Sequence, residues 1–310
     1  MTSVLFDVPG PKARLRSRII SIVGTIAIAV GLVVLVMVLA APRTTAAGAV
    51  IPGMFDPIRW DIILDGRMWN AIIFRGLAAT LRMAAAAAVL AILIGILFSF
   101  GRTARSRWIR VPVAVLLEFF RGMPVLLLMF FTLLVFGTGQ YWAGVAGLAV
   151  YNGAIIGEAL RSGIQSLPRG QRESGLAIGL TPVQTRMMIE FPQAFRQMLP
   201  IIIAQLVVLL KDTSLAFIIG YQELINIGVR QLQNTYGNRY FFTLFFVVLV
   251  VYLTVNLLLS WLARIIARRT SGGYVSRWRR KETDPGLAVV RAPDAGMGGG
   301  MSGTGGGGPA

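Results

Sequence analysis

Residues 158–220 read EALRSGIQSLPRGQRESGLAIGLTPVQTRMMIEFPQAFRQMLPIIIAQLVVLLKDTSLAFIIG. A polar, basic, helix-forming segment of roughly thirty residues stands there between two strongly apolar runs, where short connections are the rule. Within it Ala177, Ile178, Leu180, Val183, Met187, Met188 and Ile189 supply apolar surface among Arg172, Glu173, Arg186 and Glu190. Gly179, Thr181 and Pro182 interrupt the pattern and predict two short helices joined by a turn. Such a broken amphipathic hook suits a docking device, and the amphipathic pattern by itself equally suits an interfacial helix lying on lipid.

Composition places this hook in a membrane protein. The 310 residues are 55% hydrophobic with a mean hydropathy of +0.71, and only 14% are charged. Soluble domains average about 25% charged. The net charge of +17 would fit a nucleic-acid binder, but the arginines cluster at the ends of apolar runs, where cytoplasmic loops of membrane proteins carry them. No nucleic-acid partner is expected; membrane lipid is. There is no Cys and no His, which removes thiolate chemistry, His-based acid–base catalysis and Cys or His metal sites. No metal and no cofactor is expected, and no phosphate-binding Gly-x-x-x-x-Gly-Lys loop occurs.

Read along the chain, residues 1–18 form a basic cytoplasmic leader and residues 19–41 run without a charge, enough for a retained span. A cleaved signal peptide is the competing reading, although its apolar core would be shorter. Residues 42–75 carry Pro42, Pro52 and Pro57 with Trp60 and Trp69, and are read as an external interfacial segment. Residues 76–266 then hold five further spans: Leu77 to Phe100, Val111 to Phe136, Ala143 to Leu160, Leu199 to Gly220 and Phe241 to Ile266. In the first of these Ala87, Ala91, Gly95 and Ser99 recur every fourth residue, a small-residue face that lets a second helix approach closely. The polar loop occupies 161–198. Residues 267–310 are basic and then Gly-rich, read as a disordered cytoplasmic tail. Arg102, Arg105, Arg107 and Arg110 after the second span, and Arg264 and Arg268 after the last, put both termini and the hook on the cytoplasmic side of a cell membrane. The expected fold is an all-α integral membrane protein of about six transmembrane helices.

Charges within apolar runs are costly and therefore candidate functional groups. Glu118 and Arg121 stand three apart in LLEFFRGMPV, where Gly122 and Pro124 break the helix; they either pair on one face or line a passage. Lys211 and Asp212 are adjacent in LLKDTSL and need different partners, with Thr213 and Ser214 adding hydroxyls at the same level. A zwitterionic solute would set its carboxylate against Lys211 or Arg121 and its ammonium against Asp212 or Glu118. Holding helices together is the other reading of all four. Glu158 is expected to pair with Arg161 or to cap the hook.

The hook also carries a motif. Glu173, then Gly179 six residues on, then Ile189, Phe191 and Pro192 resemble the EAA loop of the permease subunits of bacterial ABC importers. Glu173-Ser174-Gly175 stands where that loop has Glu-Ala-Ala, and Phe191-Pro192 where it has Leu-Pro. The flanks EFFRGMPVLLLMFF (118–131), GEALRSGIQSLPRGQ (157–171) and LPIIIAQLVVLLKDTSLAFI (199–218) resemble the polar amino-acid permease family over roughly residues 70–265, and overall its glutamate-type branch. The resemblance implies a type I importer fold with a cytoplasmic two-helix coupling loop, and a non-catalytic transport subunit. It implies as partners a cytoplasmic ABC ATPase dimer that hydrolyses ATP, a second permease subunit (a similar chain or this one again) and an extracytoplasmic amino-acid-binding protein. Carried onto this sequence, ATPase coupling falls on Glu173, Ser174, Gly175, Ala177, Gly179, Met187, Ile189 and Pro192, with Pro192 ending the second hook helix. The same resemblance sets Lys211 to Ser214 beside the passage. An ion-gradient-driven carrier or channel, with Asp212 or Glu118 as its ion site, is the rival reading, and neither it nor a membrane enzyme needs so long a hook.

Overall fold

The computed structural model describes residues 10–44, 48 and 50–271, with side chains as far as Ile266. Residues 1–9 of the basic leader and nearly all of the tail read from the sequence therefore lie outside the described residues. Helix α1, Pro11–Ala40, opens on a proline whose fixed φ suits a first turn, and none of its residues is buried. Its first turns carry Lys12, Arg14, Arg16 and Arg18, and from Ile19 to Ala40 it holds no charge, so that an apolar surface exposed all round suits lipid. The end of α1 is latched: the Met54 N–H donates to Leu39 O at 2.9 Å. At Gly53 a Cβ would lie 1.9 Å from Ala40 O, so only glycine fits against the helix end. Between them runs a two-residue antiparallel hairpin, β1 (Arg43–Thr44) with β2 (Val50–Ile51).

Two short 3-10 turns follow, Pro57–Arg59 and Asp61–Leu64, the first capped by the Asp56 carboxylate on Ile58 N. Helix α2 then spans Gly66–Arg102. It starts at Gly66, not at Leu77, because Asp65 caps it through Arg67 N and Met68, Ala71 and Ile72 bury an apolar face against Leu224, Ile227, Leu244 and Val248. Arg67, Asn70 and Arg75 had lowered the hydropathy of this first part enough to hide it. A π-helical stretch at Ala71–Leu77 sits inside α2.

The third expected span is two helices. α3 (Arg107–Gly122) and α4 (Val125–Val135) meet at 106° across Met123-Pro124. Proline disfavours the α region for the residue before it, and α3 is a different kind of helix from α4. Arg107, Arg110, Glu118 and Arg121 fall within about 80° of arc at 100° per residue, an amphipathic design, while α4 carries no charge at all.

Helix α5 (Gln140–Gln165) is the most buried of the long helices, two-thirds of its apolar window lying inside the protein. The small residues read from the sequence make its seam with α2: Ala87, Ala91, Gly95 and Ser99 are all buried. A Cβ at Gly95 would stand 2.7 Å from Ile156 Cγ2, and reciprocally one at Gly153 would stand 2.7 Å from Ile94 Cγ2. Each helix inserts a branched side chain where the other has none.

α6 (Arg169–Ala177) and α7 (Pro182–Phe217) follow. Pro192 does not end a helix, contrary to the sequence expectation; α7 runs through it. A π turn at Arg186–Glu190, where Phe191 N donates back to Arg186 O, immediately precedes it. That widened turn gives room at the carbonyl that a proline ring would otherwise strike. A short α8, made of the π turn Asn226–Gln231 and Leu232–Tyr236, leads to the last helix, α9, Phe241–Ser271. One core lies between α2, α4, α5 and α7. A second binds α8, α9 and the first turns of α2.

Candidate functional site

The hook is formed by α6, the turn at 178–181 and the start of α7, and its bend is written entirely in local chemistry. Gly179 has φ +83°, the left-handed conformation that glycine alone adopts without cost. Leu180 N donates to Gly175 O at 3.2 Å and Gly179 N to Leu176 O at 3.1 Å, the paired bonds of a Schellman cap. The next residues start a helix at once. Thr181 Oγ1 accepts from Gln184 N, Gln184 Oε1 accepts from Thr181 N at 2.8 Å, and Pro182 takes the first helical position. A stop signal and a start signal in six residues leave no slack in the turn.

The predicted coupling residues divide by what they touch. Gly175 is buried: a Cβ there would stand 2.5 Å from Thr185 Cγ2 and 2.9 Å from Ile189 Cδ1, so the two arms of the hook close on each other at this glycine. Half-buried Ile189 fills the inner side. Ser174 is exposed and spends its hydroxyl on Gly170 O at 2.7 Å. Glu173, Ala177, Gly179 and Pro192 are exposed, and Met187, Met188, Val183, Ile178 and Leu176 present an apolar patch outward, with Ile178 74% exposed. Charged Glu173 and this patch share one small, rigid projection.

The inner side of the hook is basic. A cavity of about 320 Å³ is lined by Arg102, Arg110, Arg169, Arg172 and Arg186 with Glu190 as the one acid among the described residues. Arg186 ties the hook to the end of α2 through a 2.5 Å bond from Nη1 to Thr103 O and stands 3.7 Å from Glu190. Gln193 donates to Gln171 Oε1 at 3.0 Å, a further brace between the arms. Glu158 bonds Arg161 at 2.5 Å and lies 3.6 Å from Arg102, joining α5 to α2 beside the hook.

The proposed passage residues are not brought together. Glu118 and Arg121 pair with each other at 3.2 Å on the polar face of α3, both more than a third exposed. They sit within electrostatic reach of Arg161 and Glu158, at the hook end of the bundle. Lys211 and Asp212 lie at the far end of α7's regular part, and among the described residues neither has an ion pair. Thr213 is fully buried, donates to Leu210 O at 2.6 Å and meets the Tyr252 hydroxyl at 3.2 Å, so it clamps α7 to α9. Ser214 bonds back to Lys211 O. Gly122 and Pro124 are exposed at the α3–α4 elbow.

Sequence reasoning passed over four polar groups that the tertiary structure engages, two of them half-buried (Gln205, Tyr252) and two fully buried (Asn152, Glu223). Asn152 is fully buried on α5 and receives a 2.8 Å bond from Gln205 Nε2 of α7. Each was the lone amide in its apolar run, which was the available signal. Tyr252 bonds Leu210 O at 3.1 Å. Glu223 is fully buried and accepts from Ile225 N and Asn226 N at the start of α8. Burial pushes its carboxyl up to about 7, outweighing the two backbone donors that favour the charged form.

With this geometry in place, comparison with known proteins is decisive. The family of binding-protein-dependent transport system inner membrane components matches residues 91–272, which includes the hook, the last third of α2, α3 to α8 and all of α9. The chain belongs to this family. The glutamate transport system permease protein GluD of Corynebacterium glutamicum is 37% identical over 253 residues, 79% of this chain and 89% of that protein. The probable glutamine ABC transporter permease protein GlnP of Bacillus subtilis is 35% identical over 202 residues, 63% of this chain and 91% of that protein. Among solved structures, a crystal structure of an amino acid ABC transporter with histidines superposes with a TM-score of 0.57 at 26% identity, covering 65% of this chain and 95% of the other. As befits an inner membrane component, the described residues hold five helices long and apolar enough to cross a membrane, or six if the bent α3–α4 pair is one span. Helix α1 lies wholly outside the family match.

Proposed function

We propose that this chain is the membrane-spanning subunit of an ATP-driven importer that carries a polar amino acid, glutamate or a close relative. The hook carries the proposal. It exposes Met187, Met188, Val183 and Ile178 beside Glu173 on a bend held by two capping motifs, which is what transmitting a movement requires: a stiff lever with an adhesive tip. Met side chains adapt to irregular pockets and supply most of the contact. The Glu173 carboxylate gives the contact its register by meeting a basic or N–H-rich groove on a cytoplasmic ATPase. ATP hydrolysis belongs to that partner, and an extracytoplasmic binding protein delivers the solute.

Closure of the ATPases would pull the hook, and the Arg186–Thr103 and Gln193–Gln171 braces would pass the pull to α2 and α7. Two permease chains then rock between inward-open and outward-open states. The glutamate assignment rests on the similarity to GluD. Lys211, Asp212 and the buried Asn152–Gln205 pair are the groups nearest in chemistry to what an amino acid needs.

The test is co-purification from the native membrane in mild detergent, comparing wild type with Glu173→Arg and Met188→Asp. An ATPase is expected with wild type and is lost in both variants while thermal stability is kept. Wild type that is well folded yet brings down no ATPase overturns the proposal. So does glutamate uptake that collapses with the membrane potential at constant ATP.

A further inference from the structure

At the end of the bundle opposite the hook, a cavity of about 460 Å³ lies between the last turn of α1, the β1–β2 hairpin and the first turn of α9. Its walls are apolar, with Leu39 and Ala41 from α1, Val50 and Ile51 from the hairpin and Phe241 and Phe242 from α9. Among the described residues three arginines line it, Arg43, Arg59 and Arg239, and no acid does. Arg59 is the unusual one. Only 7% of it is exposed, its Nε is buried without a hydrogen-bond partner, and among the described residues no carboxylate pairs with it. A buried guanidinium without an anion is expensive, yet the local structure holds it there. Thr243 Oγ1 donates to Arg59 O at 2.7 Å, and neighbouring Trp60 is wedged edge-on against Phe242 and Phe246. Arg239, by contrast, is partly engaged: it stacks 4.5 Å over the Tyr240 ring and donates to its hydroxyl, which in turn bonds Asp61.

We infer that this cavity binds the phosphodiester of an anionic phospholipid, with Arg59 as the principal contact. A guanidinium presents two parallel N–H donors to phosphate oxygens, and an ion drawn in here would replace the partner that Arg59 lacks. The walls decide between a lipid and a free anion. Leu39 ends a helix that buries nothing, and Phe241 opens a helix that exposes one apolar face, with Phe245, Leu249 and Leu253 pointing outward. A diffusible phosphate gains nothing from such walls, whereas an acyl chain can lie along them. Basic pockets between membrane-spanning helices suit acidic headgroups for the same reason. Bound there, the lipid would also fasten α1 to the rest of the protein, a helix otherwise held at its end by the Met54–Leu39 bond and the hairpin.

The experiment uses the full chain, purified with whatever partners accompany it, stripped of lipid in detergent and titrated with phosphatidylglycerol, phosphatidylcholine or inorganic phosphate under native mass spectrometry. Wild type is expected to bind phosphatidylglycerol about tenfold more tightly than phosphatidylcholine, and Arg59→Gln to lose that preference while phosphatidylcholine binding stays the same. Arg43→Gln, at the rim, should lower it by a smaller factor and stands in if Arg59→Gln fails to fold. Equal affinity for the two lipids in wild type overturns the inference. So does a preference that survives both substitutions, or inorganic phosphate displacing phosphatidylglycerol at equal concentration, which would make this a site for a free anion. None of these outcomes depends on whether an ATPase co-purifies.

Discussion

Gly175 and Glu223 illustrate what single residues contribute here. Gly175 stands where the motif has alanine, and the sequence treats it as one small residue for another; packed against Thr185 and Ile189, it has no room even for a methyl. Glu223 gave no signal at all, lying in a polar stretch between two spans. Its carboxyl titrates near 7 because burial outweighs the two N–H groups it caps. The raised value means that folding favours the protonated form. The stability this contributes is therefore fully present below the ordinary carboxylate range, near 4.5, and is lost as pH rises through about 7. Thermal unfolding in detergent is expected to show the protein losing stability between pH 5 and pH 8, by on the order of 3 kcal/mol at most. Glu223→Gln, which keeps an acceptor for the α8 cap, should flatten that dependence. An unchanged pH slope in the variant would show that other groups set it.

Elements behave differently according to whether their instructions are local. The hook bend is local, a Schellman cap followed by a capping box, and was readable from Gly179, Thr181 and Pro182. The α2–α5 seam was half readable: a small-residue stripe announced a close approach, but not which helix approaches. The structure supplies Gly153 and Gly157 of α5 as the answering stripe. A Cβ at Gly157 would sit 2.8 Å from Phe98 Cβ and 3.0 Å from the Gly95 carbonyl oxygen, where backbone cannot yield. Gly157→Val is expected to cost about 1–3 kcal/mol by forcing the helices apart. Gly24→Val on α1, with nothing within 4 Å, should leave the melting temperature unchanged. Comparing the two melting curves checks this. The α3–α4 elbow was signalled by Gly122 and Pro124, yet reading 111–136 as one span put Glu118 and Arg121 inside the membrane. The structure sets them on the polar face of an amphipathic helix beside Glu158 and Arg161.

For the whole molecule, the absence of native cysteine makes topology directly testable. Arginines crowd the hook end, and the positive-inside rule predicts that this end is cytoplasmic. Gly170→Cys on the hook is expected to react with a membrane-impermeant maleimide only after cells are opened. Thr235→Cys on α8 should react in intact cells. The reverse labelling would invert the molecule and remove the hook from any cytoplasmic ATPase.

The apolar, membrane-spanning character of the helices, the polar hook between them and the residues that bend it followed from the sequence alone. Hydropathy, capping residues and glycine conformation act over one or two helical turns, and neighbouring residues suffice to express them. Pairings between distant segments did not. That Asn152 would meet Gln205, that Thr213 would clamp onto Tyr252, and that Arg59 would be buried beside the end of α1 depend on which helices lie side by side. Those contacts join residues far apart in the chain, and only the packed fold decides them.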